Sequence, residues 1–414
     1  MLKRTLFLLC IILLVSCSKQ VVKEELPSLQ KLDASSLNSY DRASEWAQKS
    51  ISLLDDISTK GLQNSRTIES YNVAVRPHTK GDMTGVNDTL FYVFNFTDSS
   101  GFSIISARQD FPPIIAVTES GRYTVGEPTG NDAFDEYMDG VIDGMTRLGP
   151  PHEQYYWYDY VFEGDSIRPK VNVNWGQEDI FGKYCSNGIC GCVATAIAQI
   201  MTYYKQPSSF IASCDMGNDF SSGSNILLDW DQIVLHTSAH SNPGNCDNVH
   251  NNIGALLRQI GEESSMTYHS EGYSSTSEYG ACDAITSLGY TIDAGPTTPI
   301  VPQIKYFIRR HGPVFMSGKR DQGSGHAWVV DGYKDFKYSY CRYERAEGDG
   351  SEPIITQQTI LREAHSLHIN WGFDGDCNGY FAFNVYDMQD ADEYDQSSWN
   401  DYNYNTNLQV IFFY

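Results

Sequence analysis

The chain has 414 residues, too many for one typical hydrophobic core, and so divides into two or three units. A hydrophobic content of 41%, with 27 Tyr, 19 Phe and 7 Trp, marks a globular chain rather than a disordered one. Its formal net charge is −23, from 29 basic and 52 acidic residues, which argues against nucleic acid and anionic membrane surfaces as partners.

Lys3 and Arg4 precede an apolar run from Thr5 to Val15 that is too short to span a bilayer. The run ends Leu14-Val15-Ser16-Cys17 and is followed by polar Ser18-Lys19-Gln20. This ending resembles a bacterial lipobox, which implies cleavage before Cys17 and lipidation of its thiol. Residues 1–17 are then a signal peptide, and a lipid is the expected membrane contact. Lys19 to Ser39 has no apolar period and reads as a tether.

Trp46, Ala47, Ile51 and Leu54 give a helical stripe over residues 40–56. Strands are expected at Thr89–Phe96, Phe102–Ser106 and Ile114–Val117, with turns at Thr97–Gly101 and Gly121. Phe134, Met138, Val141, Ile142 and Met145 have helical spacing. Residues 40–148 thus read as a small α+β unit without cysteine. Gly149-Pro150-Pro151 and the aromatic, acidic stretch to Pro169 read as a boundary.

In the remainder, helices are expected at residues 193–204, 251–263 and 278–288. Strands follow at 314–317, 327–331, 366–370, 379–383 and 408–413. Helices first and strands later is an α+β order. Residues from about Lys334 to Glu363 read as a long polar insertion. Eight of the 10 Cys lie from Cys185 onward, and an odd number is left to pair if one is a free nucleophile. Cys185, Cys190 and Cys192 do not have zinc-knuckle spacing. Asp374-Gly375-Asp376-Cys377-Asn378-Gly379 opens like a calcium loop, but Val385 stands where a bidentate Glu is needed. No metal or cofactor is expected.

The segment Gly191 to Tyr204 carries the chemistry. Val193, Ala196, Ile197, Ile200, Met201 and Tyr204 form one buried helical face, and Gly188 and Gly191 let the chain turn into it. Cys192 falls at the helix N-terminus, where the dipole favours the thiolate. The alternative is a small buried residue in a tight turn. A thiolate nucleophile needs a base, and His326 enters an apolar strand from Gly323-Ser324-Gly325. Its separation from Cys192 falls in the range of about 130–150 residues found in papain-like proteases. Asn370 or Trp371, in His368-Ile369-Asn370-Trp371-Gly372, can hold the imidazole in one tautomer. Gln177, in Trp175-Gly176-Gln177, can donate with the backbone N–H of Cys192 to an oxyanion.

In order, W-G-Q, G-C-V-A-T-A-x-A-Q-I-M, G-H-A-W-V-V-D-G-Y and H-x-N-W-G resemble the streptopain family of bacterial cysteine peptidases, from about residue 165 to the C-terminus. Leu228-Asp229-Trp230-Asp231 and Gly312-Pro313-Val314 also resemble family landmarks. The Tyr92–Tyr123 region resembles the family's inhibitory propeptide. The resemblance implies a papain-like two-lobed peptidase domain over 166–414, helical lobe then antiparallel β lobe, preceded by an α+β propeptide over 18–165. It implies Cys192 as nucleophile, His326 as general base and acid, Gln177 as oxyanion donor, and Asn370 and Trp371 as the pair orienting His326. Substrates would be proteins or peptides with an apolar residue just before the scissile one, and the propeptide would be an intramolecular inhibitor. The chain departs from the family's frequent W-G-W-G in reading Trp371-Gly372-Phe373-Asp374-Gly375. Acyl transfer to an amine, and an inactive binding protein on the same fold, remain as alternatives.

Overall fold

The computed structural model describes residues 39–55, 66–76, 89–108, 111–147, 154–241, 247–319, 325–346, 354–383 and 408–414. The lipobox, Cys17 and the tether lie outside the described residues. Among the described residues no helix is long and apolar enough to cross a membrane.

The N-terminal part begins with α1 (Ser39–Asp55), which buries Ala43, Trp46, Ala47, Ile51 and Leu54 along one stripe. An antiparallel meander follows: β1 (Ile68–Val75), β2 (Thr89–Phe96), β3 (Phe102–Ser106) and β4 (Ile114–Thr118). β2 is apolar on both faces because both are covered. Tyr92 and Phe94 pack with Trp46 of α1, and Phe91 and Val93 pack in the cluster of the next helix. That helix, α2 (Asp132–Arg147), is capped by Asn131, whose Oδ1 accepts from the N–H of Phe134 at 3.0 Å. Asp132 and Asp135 in its first turn and Arg147 in its last complement the dipole.

After β5 (Gln154–Ile167) comes the helical layer. It contains α3 (Cys192–Tyr204), the small hairpin β6 (Ser209–Ile211) and β7 (Asn225–Leu227), α4 (Trp230–Ile233) and α5 (Asp247–Glu263). The hairpin β8 (Thr267–His269) and β9 (Tyr273–Ser275) leads to α6 (Glu278–Ser287). The rest is mostly strand: β10 (Ile292–Thr297), α7 (Val301–Arg310), β11 (Val314–Lys319), β12 (Gly325–Ala346), β13 (Ile354–Asn370), β14 (Gly379–Ala382) and β15 (Gln409–Phe413).

The large sheet runs β1-β2-β3-β4-β14-β13-β12-β11-β15-β10, with β5 also on β12. Its pairings are antiparallel. Along β12 the side chains alternate between two cores. Ala327 and Val329 join Phe315, Ile411 and the faces of α3, α5 and α6, whereas Trp328 and Val330 join α2, α7 and Phe381. The architecture is the expected α+β, a helical lobe followed by an antiparallel β lobe.

Two features differ from the sequence reading. The stretch expected as a boundary before Pro169 contains β5, which pairs with β12 from Tyr333↔Ile167 to Tyr343↔Gln154. The polar insertion is the far part of the β12–β13 hairpin, paired from Lys334↔Ser366 to Ala346↔Ile354. The N-terminal meander also shares its sheet with the C-terminal strands. Gly379, Tyr380 and Phe381 of β14 pair with Thr118, Val117 and Ala116 of β4.

Candidate active site

The N-terminus of α3 is built by its glycine turn. Gly191 has φ 88°, which favours glycine, and a Cβ there would crowd Ser274 Cβ at 3.1 Å and Met266 Sδ at 3.2 Å. The loop of Gln177 is tied to this turn. The N–H of Cys190 donates to the carbonyl of Gln177 at 2.9 Å, and Thr195 Oγ1 lies 3.1 Å from the carbonyl oxygen of Gly176. Deeper in α3, Gln199 Oε1 accepts from the N–H of Trp175 at 3.1 Å, and Trp175 Nε1 donates to the carbonyl of His236 at 2.6 Å. Gln177 is half-buried and its side-chain amide has no protein partner among the described residues.

His326 is the second residue of β12, where Gly318 of β11 pairs with it. Its Nε2 lies 3.0 Å from the carbonyl oxygen of Trp371. A carbonyl only accepts, so Nε2 carries the proton and Nδ1 is left for the thiol. Cys192 and His326 interact directly. Burial pushes the Cys192 thiol up, but the charge of His326, a hydrogen bond to it and the backbone N–H groups of Ala327 and Val193 reverse this, and the thiol is held below its ordinary value. Burial pulls His326 down, yet Cys192, the Trp371 carbonyl and the carboxylate of Glu136 on α2 raise it above the ordinary imidazole value. The two shifts together favour a thiolate–imidazolium pair. Other cysteines behave as structural thiols: burial raises Cys185 to about 11 and Cys377 to about 12, and it raises Cys190 and Cys282 as well.

The structure separates the roles expected of Asn370 and Trp371. The Asn370 side chain does not face His326. Its Nδ2 donates to the carbonyl of Val173 at 2.9 Å, and its Oδ1 accepts from the N–H of Gly372 at 3.2 Å. The contact to the imidazole comes from the Trp371 carbonyl, and the N–H of that same peptide, of Gly372, is the one that Asn370 Oδ1 accepts. The Trp371 indole is buried, with ring centroids 5.4 Å from Trp328, 5.3 Å from Phe381 and 6.0 Å from Tyr137 of α2. Phe373 lies beside the imidazole, 5.3 Å between centroids.

Sequence reasoning missed Asn378, whose Oδ1 accepts from the N–H of Trp371 at 2.9 Å, and Asn174, whose Oδ1 lies 3.2 Å from Asn378 Nδ2. Together they hold the Asn370–Trp371 peptide, the one just before the peptide whose carbonyl meets His326. Asn in a turn is commonplace, so neither residue gave a signal.

A nucleophile at a helix start, an imidazole beside it and a carbonyl behind that imidazole are the parts of a thiol acyl-transfer site. A family model described as the peptidase C10 family matches residues 175–381, half of the chain. The chain belongs to the peptidase C10 family. It is similar to the thiol protease/hemagglutinin PrtT of Porphyromonas gingivalis, 22% identical over 332 residues, covering 72% of this chain and 34% of that protein. It is also similar to streptopain of Streptococcus pyogenes serotype M1, 22% identical over 345 residues, covering 74% of this chain and 76% of streptopain. The chain thus spans about a third of PrtT and about three quarters of streptopain. Among solved structures it resembles a fragment of prointerpain A from Prevotella intermedia, with a TM-score of 0.50, 19% identity, and coverage of 83% of this chain and 98% of that one. That likeness concerns the fold, which is the α+β, papain-like arrangement expected from the sequence.

Proposed function

We propose that the chain is a cysteine endopeptidase made as a zymogen. The observation that carries this reading is the Cys192–His326 pair at the N-terminus of α3, with the thiol lowered and the imidazole raised by one another.

In this reading the Cys192 thiolate attacks a peptide carbonyl carbon, forming a C–S bond and an oxyanion. The Gln177 amide and the Cys192 backbone N–H stabilise the oxyanion. His326 gives its Nδ1 proton to the departing amine nitrogen as the C–N bond breaks, leaving a thioester. Water then attacks the thioester, His326 takes its proton, and the acid and the thiolate are released. The Trp371 carbonyl holds the imidazole by its other nitrogen throughout, and Asn370 acts on the loop rather than on the ring. The substrates are proteins or peptides, with an apolar residue just before the scissile one.

Residues 18–165 are the propeptide and 166–414 the peptidase domain. In support, α2 brings Tyr137 against Trp371 and Glu136 within electrostatic reach of His326. Cys17 carries a lipid that anchors the chain in the bacterial cell envelope; support for this lies in the motif alone, and Cys17→Ser is expected to leave the membrane fraction.

The test compares the full chain with Cys192→Ala under reducing conditions, by intact mass and peptide hydrolysis. The unaltered chain is expected to shed its N-terminal region and cleave peptide, and Cys192→Ala to do neither, a loss of about 10⁴-fold or more. Retained hydrolysis in the variant would overturn the reading.

A further inference from the structure

A second buried ionic cluster lies where the N-terminal meander meets the C-terminal strands. His368 on β13 and Asp331 on β12 are 4% and 1% exposed. His368 Nδ1 is 2.6 Å from Asp331 Oδ1, and the other Asp331 oxygen accepts the N–H of Val171 at 2.8 Å. On the opposite side of the ring, Nε2 lies 3.5 Å from Oε1 of Glu119, the residue that follows β4. The backbone of Glu119 is held as well, its N–H donating to the carbonyl of Asn378 at 2.8 Å.

The surroundings are defined. The Tyr380 ring of β14 packs 5.1 Å from the imidazole, and its hydroxyl has no partner among the described residues. Arg66, before β1, acts on Glu119, and Arg168, after β5, acts on Tyr380. Asp331 and Glu119 are the two carboxylates facing the imidazole.

Burial alone would make His368 neutral, but the two carboxylates raise it to about 10. Burial would likewise raise Glu119, but His368 and Arg66 hold it below the ordinary carboxylate value. The row therefore reads minus, plus, minus at neutral pH. Two of its members belong to the peptidase strands, and the third belongs to the segment read as the propeptide.

We propose that Glu119, His368 and Asp331 form a charge latch that seats the N-terminal region on the peptidase sheet at neutral pH and lets it go in acid. The proposal rests on the reading of that region as a propeptide. The signs differ at the two ends. The Glu119 contribution is present above the ordinary carboxylate value of about 4.3 and is lost as pH falls through its lower folded value. The His368 contribution is complete below about 6.5 and is lost only as pH rises through about 10. Acid therefore unfastens the N-terminal side first and leaves the charged His368 in place.

The experiment uses the full-length Cys192→Ala chain, which has no nucleophile to process itself with. Hydrogen exchange is followed in peptides spanning Ile114–Thr118 and Gly379–Ala382 from pH 3 to 8, corrected for intrinsic rates. Protection in α3 serves as the fold control. The parent is expected to lose protection in both strands as pH falls below about 4. Glu119→Gln is expected to show that loss already at neutral pH, with roughly three- to tenfold faster exchange and no further acid step. Equal protection of parent and Glu119→Gln at neutral pH, or an acid step that persists in the variant, would overturn the latch. With Cys192 restored, Glu119→Gln is expected to shorten the lag before activity. Faster exchange with an unchanged lag would keep the latch and sink the propeptide reading instead.

Discussion

The carbonyl oxygen of Trp371 stands 3.0 Å from Nε2 of His326, so the imidazole is held by a backbone atom. A side-chain orienter can be deleted by one substitution. A carbonyl has to be displaced by disturbing whatever fixes its peptide.

Asn378 anchors the peptide just before it. Its Oδ1 accepts the N–H of the same Trp371, and it is 2% exposed. Asn378→Ala leaves a buried N–H unpaired, at a cost of about 1–3 kcal/mol. The expected outcome is a fall of roughly ten- to a hundredfold in kcat with a smaller change in KM, since a displaced base acts on the chemical step. Steady-state kinetics on the processed enzyme, alongside its pH profile, checks this. An unchanged kcat in a folded variant would show that this anchor does not govern the carbonyl beside the ring.

The Cys192 and His326 shifts predict the pH dependence of thiol reactivity. A lowered thiol and a raised imidazole keep the charged pair between their two values. Alkylation of Cys192 by a neutral reagent should therefore stay fast below the ordinary thiol value of about 8.5 and fall only as acid protonates the thiolate. His326→Ala removes the charge that opposes burial, so its alkylation curve should move to higher pH. Coincident curves for the two proteins would mean that His326 does not tune the thiol.

Gln177 makes a prediction with opposite signatures for stability and rate. Its side-chain amide has no partner among the described residues, so Gln177→Ala should leave Tm close to unchanged. If the amide meets the oxyanion, kcat should fall by about 10²–10³. Thermal melting and kcat measured on the same preparation separate this from a structural role, in which both would move.

The helix of Cys192 was legible because its apolar residues recur on one face and two glycines precede it. His326 was legible because a Gly-rich loop runs into an apolar strand. The orienting contact was not, since a backbone carbonyl leaves no mark in the residue type, and Asn370 looked as good a candidate as any. β5 and the outer arm of β12–β13 were illegible for another reason. Their sequence does not alternate apolar and polar residues in the way that marks a half-buried strand, and β5 finds its partner far along the chain in β12. α7 was passed over because it is short and opens with Pro302 in its first turn, although Ile304, Phe307 and Ile308 give it a buried face. The row of Glu119, His368 and Asp331 was beyond reach from sequence, because only the pairing of β4 with β14 brings its members together.

That pairing has a consequence for how the chain is made. Thr118 and Gly379 are neighbours in the sheet yet lie in opposite parts of the chain, so β4 emerges from the ribosome long before its partner exists. Until then β4 is an open edge, and the meander must wait with backbone donors and acceptors unspent. Closing such a distant contact is slow, because the entropy of the intervening loop is lost before the contact forms. The seam between β4 and β14 is thus among the most distant contacts in the chain, and its formation waits on the strand made later.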